Sequence, residues 1–215
     1  MAEHEARTLS EFIHRLTANF ISRGYFFCAT GEIPEAKDPS KTDAKIIGQY
    51  EVGLSRWAKA RRRKRGGASV QYLRFGRRFV ILATHGAHQL FECEAKNIRD
   101  VRWTPLRIGR YAVGHRQENG KGKAFVRITQ TEIRGVRSRL VAHAVSAADV
   151  ANEIRSLGLL RYAGVWRQVV GLVKVINKKR KRAGLEPVNF KHCFPGQKSA
   201  VLVGSNSVNS ASHCK

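Results

Sequence analysis

The sequence predicts an α+β domain in which a mostly antiparallel sheet is packed by helices on one side. Three observations carry this. The chain opens on an amphipathic helical run, its middle reads as short apolar strands broken by glycine-containing turns, and beyond about residue 129 the apolar spacing lengthens to the helical period of about 3.6.

Leu9, Phe12, Ile13, Leu16 and Phe20 recur at helical spacing, so a helix is expected over 8–23, with Thr8 and Glu11 as a capping box and Gly24 as the stop. Tyr25 to Ala29 reads as a buried strand. A loop with two prolines, Gly31 to Pro39, then leads to a short helix over 43–50. A further helix over 54–64 is closed by Gly66 and Gly67. Residues 69–75 and 78–84 flank Gly76 and Arg77 as a β-hairpin. More strands are expected near 89–93, 98–103, 106–115 and 123–129, the last two joined by the turn from Glu118 to Gly122. Thr129 with Glu132, and Ser146 with Asp149, are capping boxes for helices over 130–143 and 147–157. The last helix, 162–183, places Trp166, Val169, Val170, Val173 and Ile176 on one face. A single domain over 1–195 is predicted, and the Ser-, Asn- and Gly-rich composition of 196–215 predicts a disordered tail. There is no internal repeat.

Charge is the most informative property of the chain. It holds 40 Lys and Arg against 16 Asp and Glu, a net +24, distributed as −2 over residues 1–55, +17 over 56–139 and +9 over 140–215. Repulsion on this scale opposes folding unless a polyanion offsets it, and the segregation of sign marks a binding face rather than a solubility device. An ordinary hydrophobic fraction of 42% argues against wholesale disorder. Nucleic acid, DNA or RNA, is therefore the expected partner. A membrane is not: residues 59–67 lack the large apolar residues of a lipid-bound helix, and no signal peptide or apolar run of about 18 residues is present. Cys28, Cys93, Cys193 and Cys214 follow no metal or disulfide spacing, and free thiols in a reducing cytoplasm or nucleoid are expected.

The expected contacts are of three kinds. Arg61, Arg62, Arg63, Lys64 and Arg65 form a basic helix end suited to phosphates. Tyr72, Arg74, Arg77 and Arg78, with Phe75, interleave rings and guanidinium groups on the hairpin, a mixture repeated by Arg99, Arg102, Trp103, Arg107 and Arg110. Lys178, Lys179, Arg180, Lys181 and Arg182 close the last helix. Rings stack on bases while guanidinium groups hold the backbone, which is the combination single-strand binding uses.

The segments RGYFF, GEIPEAKDPSKTDAKII, ARRRKRGG, QYLRFGRRFVILATHGAHQLFE and IRDVR, between Arg23 and Arg102, resemble an uncharacterised bacterial protein family, with a weaker continuation through KRAGLEPV at 181–188. The resemblance implies an association with mobile or multicopy genetic elements. It implies no activity and no catalytic residues.

Three patterns bear on catalysis. His85 and His88, with Glu92 close behind, are candidate ligands for a divalent metal ion, whose catalytic form needs two or three imidazoles or carboxylates around an open position. Replication and transposition initiators pair two histidines on one strand face with a tyrosine nucleophile on a helix, and here Tyr162 or Tyr111 would serve. The His85-Gly-Ala-His88 spacing departs from the alternation that such a strand exploits. Finally, Glu94-Ala-Lys96 resembles the end of a nuclease motif that needs an upstream acid, for which Asp43 or Glu51 is available, while Asp100 is a possible member of some acidic cluster. The leading expectation is a nucleic-acid-binding protein. The alternatives are a metal-dependent endonuclease or initiator using His85, His88 and Glu92, and a structural protein of a ribonucleoprotein, whose extended basic tails are lacking here.

Overall fold

In the computed structural model, which describes residues 4–145 and 149–193, the chain is mixed α+β with two mostly antiparallel sheets and helices at both ends. The predicted 196–215 tail, Cys214 and Ser146 lie outside the described residues. Helix α1 (Leu9–His14) starts at Thr8, whose hydroxyl accepts the Glu11 amide at 3.1 Å. It runs on through a wider π turn (Arg15–Phe20) and a tighter 3-10 turn (Ile21–Arg23) to Gly24 at φ 91°. The Thr17 hydroxyl accompanies the widening, donating back to the Ile13 and His14 carbonyls.

The first sheet contains β1 (Glu5–Ala6), β2 (Phe27–Glu32), β3 (Val70–Phe75), β4 (Arg78–Ala83) and β5 (Arg99–Asp100), in the order β1-β3-β4-β2-β5. Only β1–β3 is parallel. The β4 segment RFVILA is nearly continuous in apolar residues, and such a strand must be covered on both faces. Val80 and Leu82 pack towards α1 with Leu73 and Cys28, while Ile81 and Ala83 pack with Tyr72, Val70, Ile46 and Tyr50 on the other face. That second face is covered by α2 (Pro39–Gln49), so the expectation of helices on one side only is corrected. Helix α3 (Arg56–Lys64) follows α2 and leads into β3.

The second sheet is formed by β6 (Leu106–Ile108), β7 (Tyr111–Glu118) and β8 (Lys121–Ile128). The single strand expected over 106–115 is thus two, because Ile108 pairs with Tyr111 across a two-residue turn that puts Gly109 at φ 55°. Glu118 pairs with Lys121 across Asn119 and Gly120, both left-handed, the Asn-Gly hairpin turn. The strand expected over 89–93 is the short helix α4 (Leu90–Cys93), and that over 98–103 shrinks to β5. In QLFEC the two apolar residues adjoin and no alternation exists to fill one face of a strand, so a single turn buries Leu90 instead.

Helices α5 (Gln130–His143), α6 (Val150–Ser156) and α7 (Ala163–Arg182), with the short α8 (Phe190–Cys193), enclose a cluster of Leu140, Val150, Ile154, Val169, Leu172, Val173 and Ile176. Asp149 caps α6 directly, accepting the Asn152 amide, whereas Thr129 precedes α5 without a side-chain cap bond. The start of α7 lies against β8 so closely that a Cβ at Gly164 would collide with the Val126 carbonyl. Gln168 then pairs its side-chain amide with both the amide and the carbonyl of Ile128, satisfying that edge of the strand. No helix among the described residues is long and apolar enough to cross a membrane.

One ionic cluster ties the first sheet together. Asp43 of α2 and Arg74 of β3 are each 6% exposed. Asp43 receives the Arg74 Nε at 2.9 and 3.0 Å and the Tyr72 hydroxyl at 2.5 Å. Arg74 Nη1 also reaches Glu5 of β1 at 3.0 Å and the Gly76 carbonyl at 2.6 Å. Burial alone would lower the Arg74 pKa, but the bonds and charges of Asp43 and Glu5 outweigh it and raise the value. Removing one partner of a buried pair strands the other. Asp43→Ala is therefore expected to cost about 3 kcal/mol in denaturant unfolding, at the low end of such losses because Glu5 remains, and Asp43→Ala combined with Arg74→Met should cost less than Asp43→Ala alone.

Candidate nucleic-acid interface

Helix α3 begins at Ser55, whose hydroxyl accepts the Ala58 amide, and contains no acidic residue. None of its residues is buried. Its last turn concentrates cations where the helix carbonyls favour them, and the chain turns away through Arg65 and Gly66, at φ 81°. Arg62 is the anchored member: it bonds Glu51 at 2.5 Å and packs over Gly67. Arg61, Arg63, Lys64 and Arg65 are exposed and form no ion pair among the described residues.

The register places this helix end beside a second basic element. Val70, Ala83, Phe27 and Asp100 form one row across β3, β4, β2 and β5. Just beyond Val70 lie Arg63 to Gly67, held by the pairing of Gly67 with Ala87. Just beyond Asp100 lies the turn 100–104 with Arg102. The Arg102 guanidinium grips the Asp100 carboxylate at 2.6 and 3.0 Å and lies 4.8 Å from the Phe26 ring centre and 5.7 Å from that of Phe27. Burial would raise the Asp100 pKa, but these Arg102 bonds hold it below the usual value. Arg99 and Arg107 are exposed nearby in the chain.

Other predicted contacts are spent inside the protein. Tyr72 is fully buried with its hydroxyl on Asp43, and Arg74 belongs to the same ionic cluster, so neither faces a ligand. Burial first, then the Asp43 bond, pushes the Tyr72 pKa up. Arg77 donates to the carbonyls of Pro34, Glu35, Lys37 and Ile33, organising the loop before α2. Arg78 alone of the hairpin set is exposed, with a loose 3.8 Å contact to Glu32. At the end of α7, Lys179 donates to the Val141 carbonyl and Arg180 to those of Ala144 and Glu186, while Lys178, Lys181 and Arg182 face solvent.

The predicted catalytic constellations do not assemble. No group of three His, Cys, Asp or Glu side chains able to hold a metal ion exists among the described residues. His85 and Glu92 are exposed, whereas His88 turns inward and accepts the Leu90 amide on Nδ1 at 3.1 Å, leaving Nε2 buried without a partner among the described residues. With His85 and Glu92 facing solvent and His88 facing inward, the three do not converge on one open position. Tyr162 packs against the α1 side of the core and burial pushes its phenol up to about 12; Tyr111 is buried and accepts the Leu160 amide. The acids of the nuclease-like pattern and the acidic-cluster candidate each have another partner: Glu94 takes Tyr50 and Asn97, Glu51 takes Arg62, Asp43 takes Arg74, and Asp100 takes Arg102.

Trp57 escaped the sequence reading. It stands 78% exposed one turn before Arg61, and its place at i, i+4 from that arginine in RWAKARRRK was the available signal.

Two histidines carry a pH dependence. Burial, then the charge of Arg62, lowers the His88 pKa against a smaller opposing effect of Glu51; burial, then Arg102, lowers that of His115 against Asp100. The unfolded chain therefore takes up protons near pH 6.5 that the folded chain refuses, so this stability is present above about 6.5 and is lost as pH falls through the depressed folded values. The melting temperature should fall between about pH 7.5 and 5.5, and His88→Gln should flatten that fall; an unchanged slope in the variant would remove His88 from the account. No protein-family model, curated protein or solved structure matches the chain.

Proposed function

We propose that the protein binds nucleic acid through backbone phosphates, at the end of the first sheet where α3 terminates. The observation that carries this is the set Arg61, Arg63, Lys64 and Arg65, exposed and without a carboxylate partner among the described residues, in a chain of net charge +24. An exposed run of guanidinium groups with no internal counter-ion is stabilised by polyanion charge, and releasing condensed counterions from the polymer supplies the affinity. Arg99, Arg102 and Arg107 extend the surface along the sheet end, with Lys178, Lys181 and Arg182 as a separate, second patch.

The test is a salt titration of binding. Neutralising about four to six phosphates lowers affinity at least about 50-fold between roughly 50 and 200 mM salt. Replacing Arg61, Arg63, Lys64 and Arg65 together by Ser should leave the fold intact, since these four side chains are exposed, and should shrink the log–log salt slope by about 0.7 to 0.9 for each phosphate no longer neutralised. Unchanged affinity and slope in the folded variant would reject this surface.

A further inference from the structure

We infer that the nucleic acid taken by this surface is single-stranded, held by base stacking on Trp57 and Trp103. The inference rests on the phosphate-binding reading above and adds the form of the ligand. The chain has three tryptophans. Trp166 leans edge-on against Phe190, with ring centres 4.2 Å apart, and is 45% exposed. Trp57 and Trp103 are 78% and 84% exposed, and neither ring meets another aromatic ring of the described chain. These two indoles offer flat stacking surface that the described chain does not itself use, on the most basic part of the molecule.

Both sit among cations. On α3, Trp57, Arg61 and Lys64 follow at i, i+4 and i+7 and are all exposed, so one outward stripe about 10 Å long carries a ring followed by two positive charges. Trp103 is the tip of a built turn. The Asp100 carbonyl accepts the amides of Trp103 at 3.1 Å and Thr104 at 2.8 Å, and the Asp100 carboxylate accepts the Arg102 amide at 2.9 Å as well as its guanidinium. With Arg102 in turn stacked over Phe26 and Phe27, the turn is fixed before any ligand arrives, and little conformational entropy is lost on binding.

The two elements flank the same end of the first sheet. From Val70 to Asp100 the row crosses three strand spacings, roughly 14 Å. A strand of nucleic acid passing over this end meets the α3 cations on one side and the Trp103 turn on the other. In a duplex the base faces are hidden in the stack, and an indole beside the phosphates gains nothing from them. In a single strand every base offers a face, and stacking adds to phosphate contact. An acidic protein surface is the competing occupant, since aromatic and arginine side chains also anchor protein interfaces.

The full chain should be titrated, at about 100 mM salt, with oligo-dT, oligo-U, a mixed-sequence duplex of equal length and polyglutamate, following anisotropy and intrinsic tryptophan fluorescence. The expected result is tighter binding of at least one single strand than of the duplex, by about tenfold or more, with quenching of indole emission. The preference between dT and U assigns DNA or RNA. Trp57→Ala and Trp103→Ala should each weaken single-strand binding by about 5- to 100-fold while leaving duplex affinity and the salt slope alone, and Phe at either position should restore most of the loss. Duplex bound as tightly as either strand, with both Ala variants neutral, would overturn the inference and leave phosphate binding standing. Failure of all three nucleic acids would overturn both readings, and polyglutamate bound as tightly as the oligonucleotides would assign the surface to an acidic protein partner.

Discussion

The ion cluster of Arg74 with Asp43 and Glu5 is the constraint on which the first sheet depends. β3 lies between β4 and the short β1 in a sheet covered on both faces, yet it carries a buried arginine. Burying that charge is tolerated only because α2 delivers a carboxylate that grips Nε through both oxygens, while β1 and the hairpin turn meet Nη1. One side chain thereby registers three separate elements. The cost of leaving Arg74 unpaired makes alternative dockings of α2 unfavourable, and the Tyr72 hydroxyl on the same carboxylate locks the arrangement from the neighbouring strand position.

The same shortage of acids governs the rest of the molecule. Sixteen carboxylates cannot pair with 40 cations, and the chain uses backbone carbonyls as partners instead. Arg15 reaches the Glu5 carbonyl, Arg77 four carbonyls of the loop before α2, Arg110 that of Leu157, Arg155 that of His192, and Lys179 and Arg180 those closing α5. The bonds of Lys179 and Arg180 to the Val141 and Ala144 carbonyls place positive charge against the negative end of the α5 dipole, and the others tie loops and strand ends to the body of the fold. Lysines and arginines are in this way divided into structural caps and a remainder facing solvent.

That division explains how much is legible in the sequence. Helices α1 and α7 are visible there through apolar spacing, α1 also through its Thr8 cap, and α3 through its glycine stop, whereas α2 is read four residues short because its Asp38 cap and Pro39 start lie in what reads as a proline loop. The α4 turn, the break at Gly109 and the second cover on the first sheet are not visible, because they are decided by what packs from elsewhere: Leu90 finds the cluster beneath α2, and β4 finds helices on both faces. For the site, charge density singles out the exposed end of α3, but composition does not distinguish a cation with a carbonyl from one without. Arg74, Arg77 and Arg180 look the same in sequence as Arg61 and Arg63. The histidine pair misleads because nearness in sequence does not fix direction: at i, i+3 two side chains fall on opposite faces of an extended backbone, and here His85 faces solvent while His88 turns inward.

The free cations are also not scattered at random over the fold. A helix with no fully buried residue gains little stability from packing, and α3 is held by its half-buried face of Ala58, Lys59, Ala60 and Arg62, by the Ser55 cap, by the Arg62–Glu51 pair and by the Gly67–Ala87 pairing, while its outward face stays uncommitted. The row from Val70 to Asp100 then carries the rigidity of the sheet to both basic elements. On the proposed reading, the mutual repulsion of Arg61, Arg63, Lys64 and Arg65 is tolerated in the free protein because the sheet bears it, and is relieved when a polyanion binds. Binding energy and folding energy are then linked through the same charges, so the ligand should stabilise the fold in proportion to its occupancy of this surface.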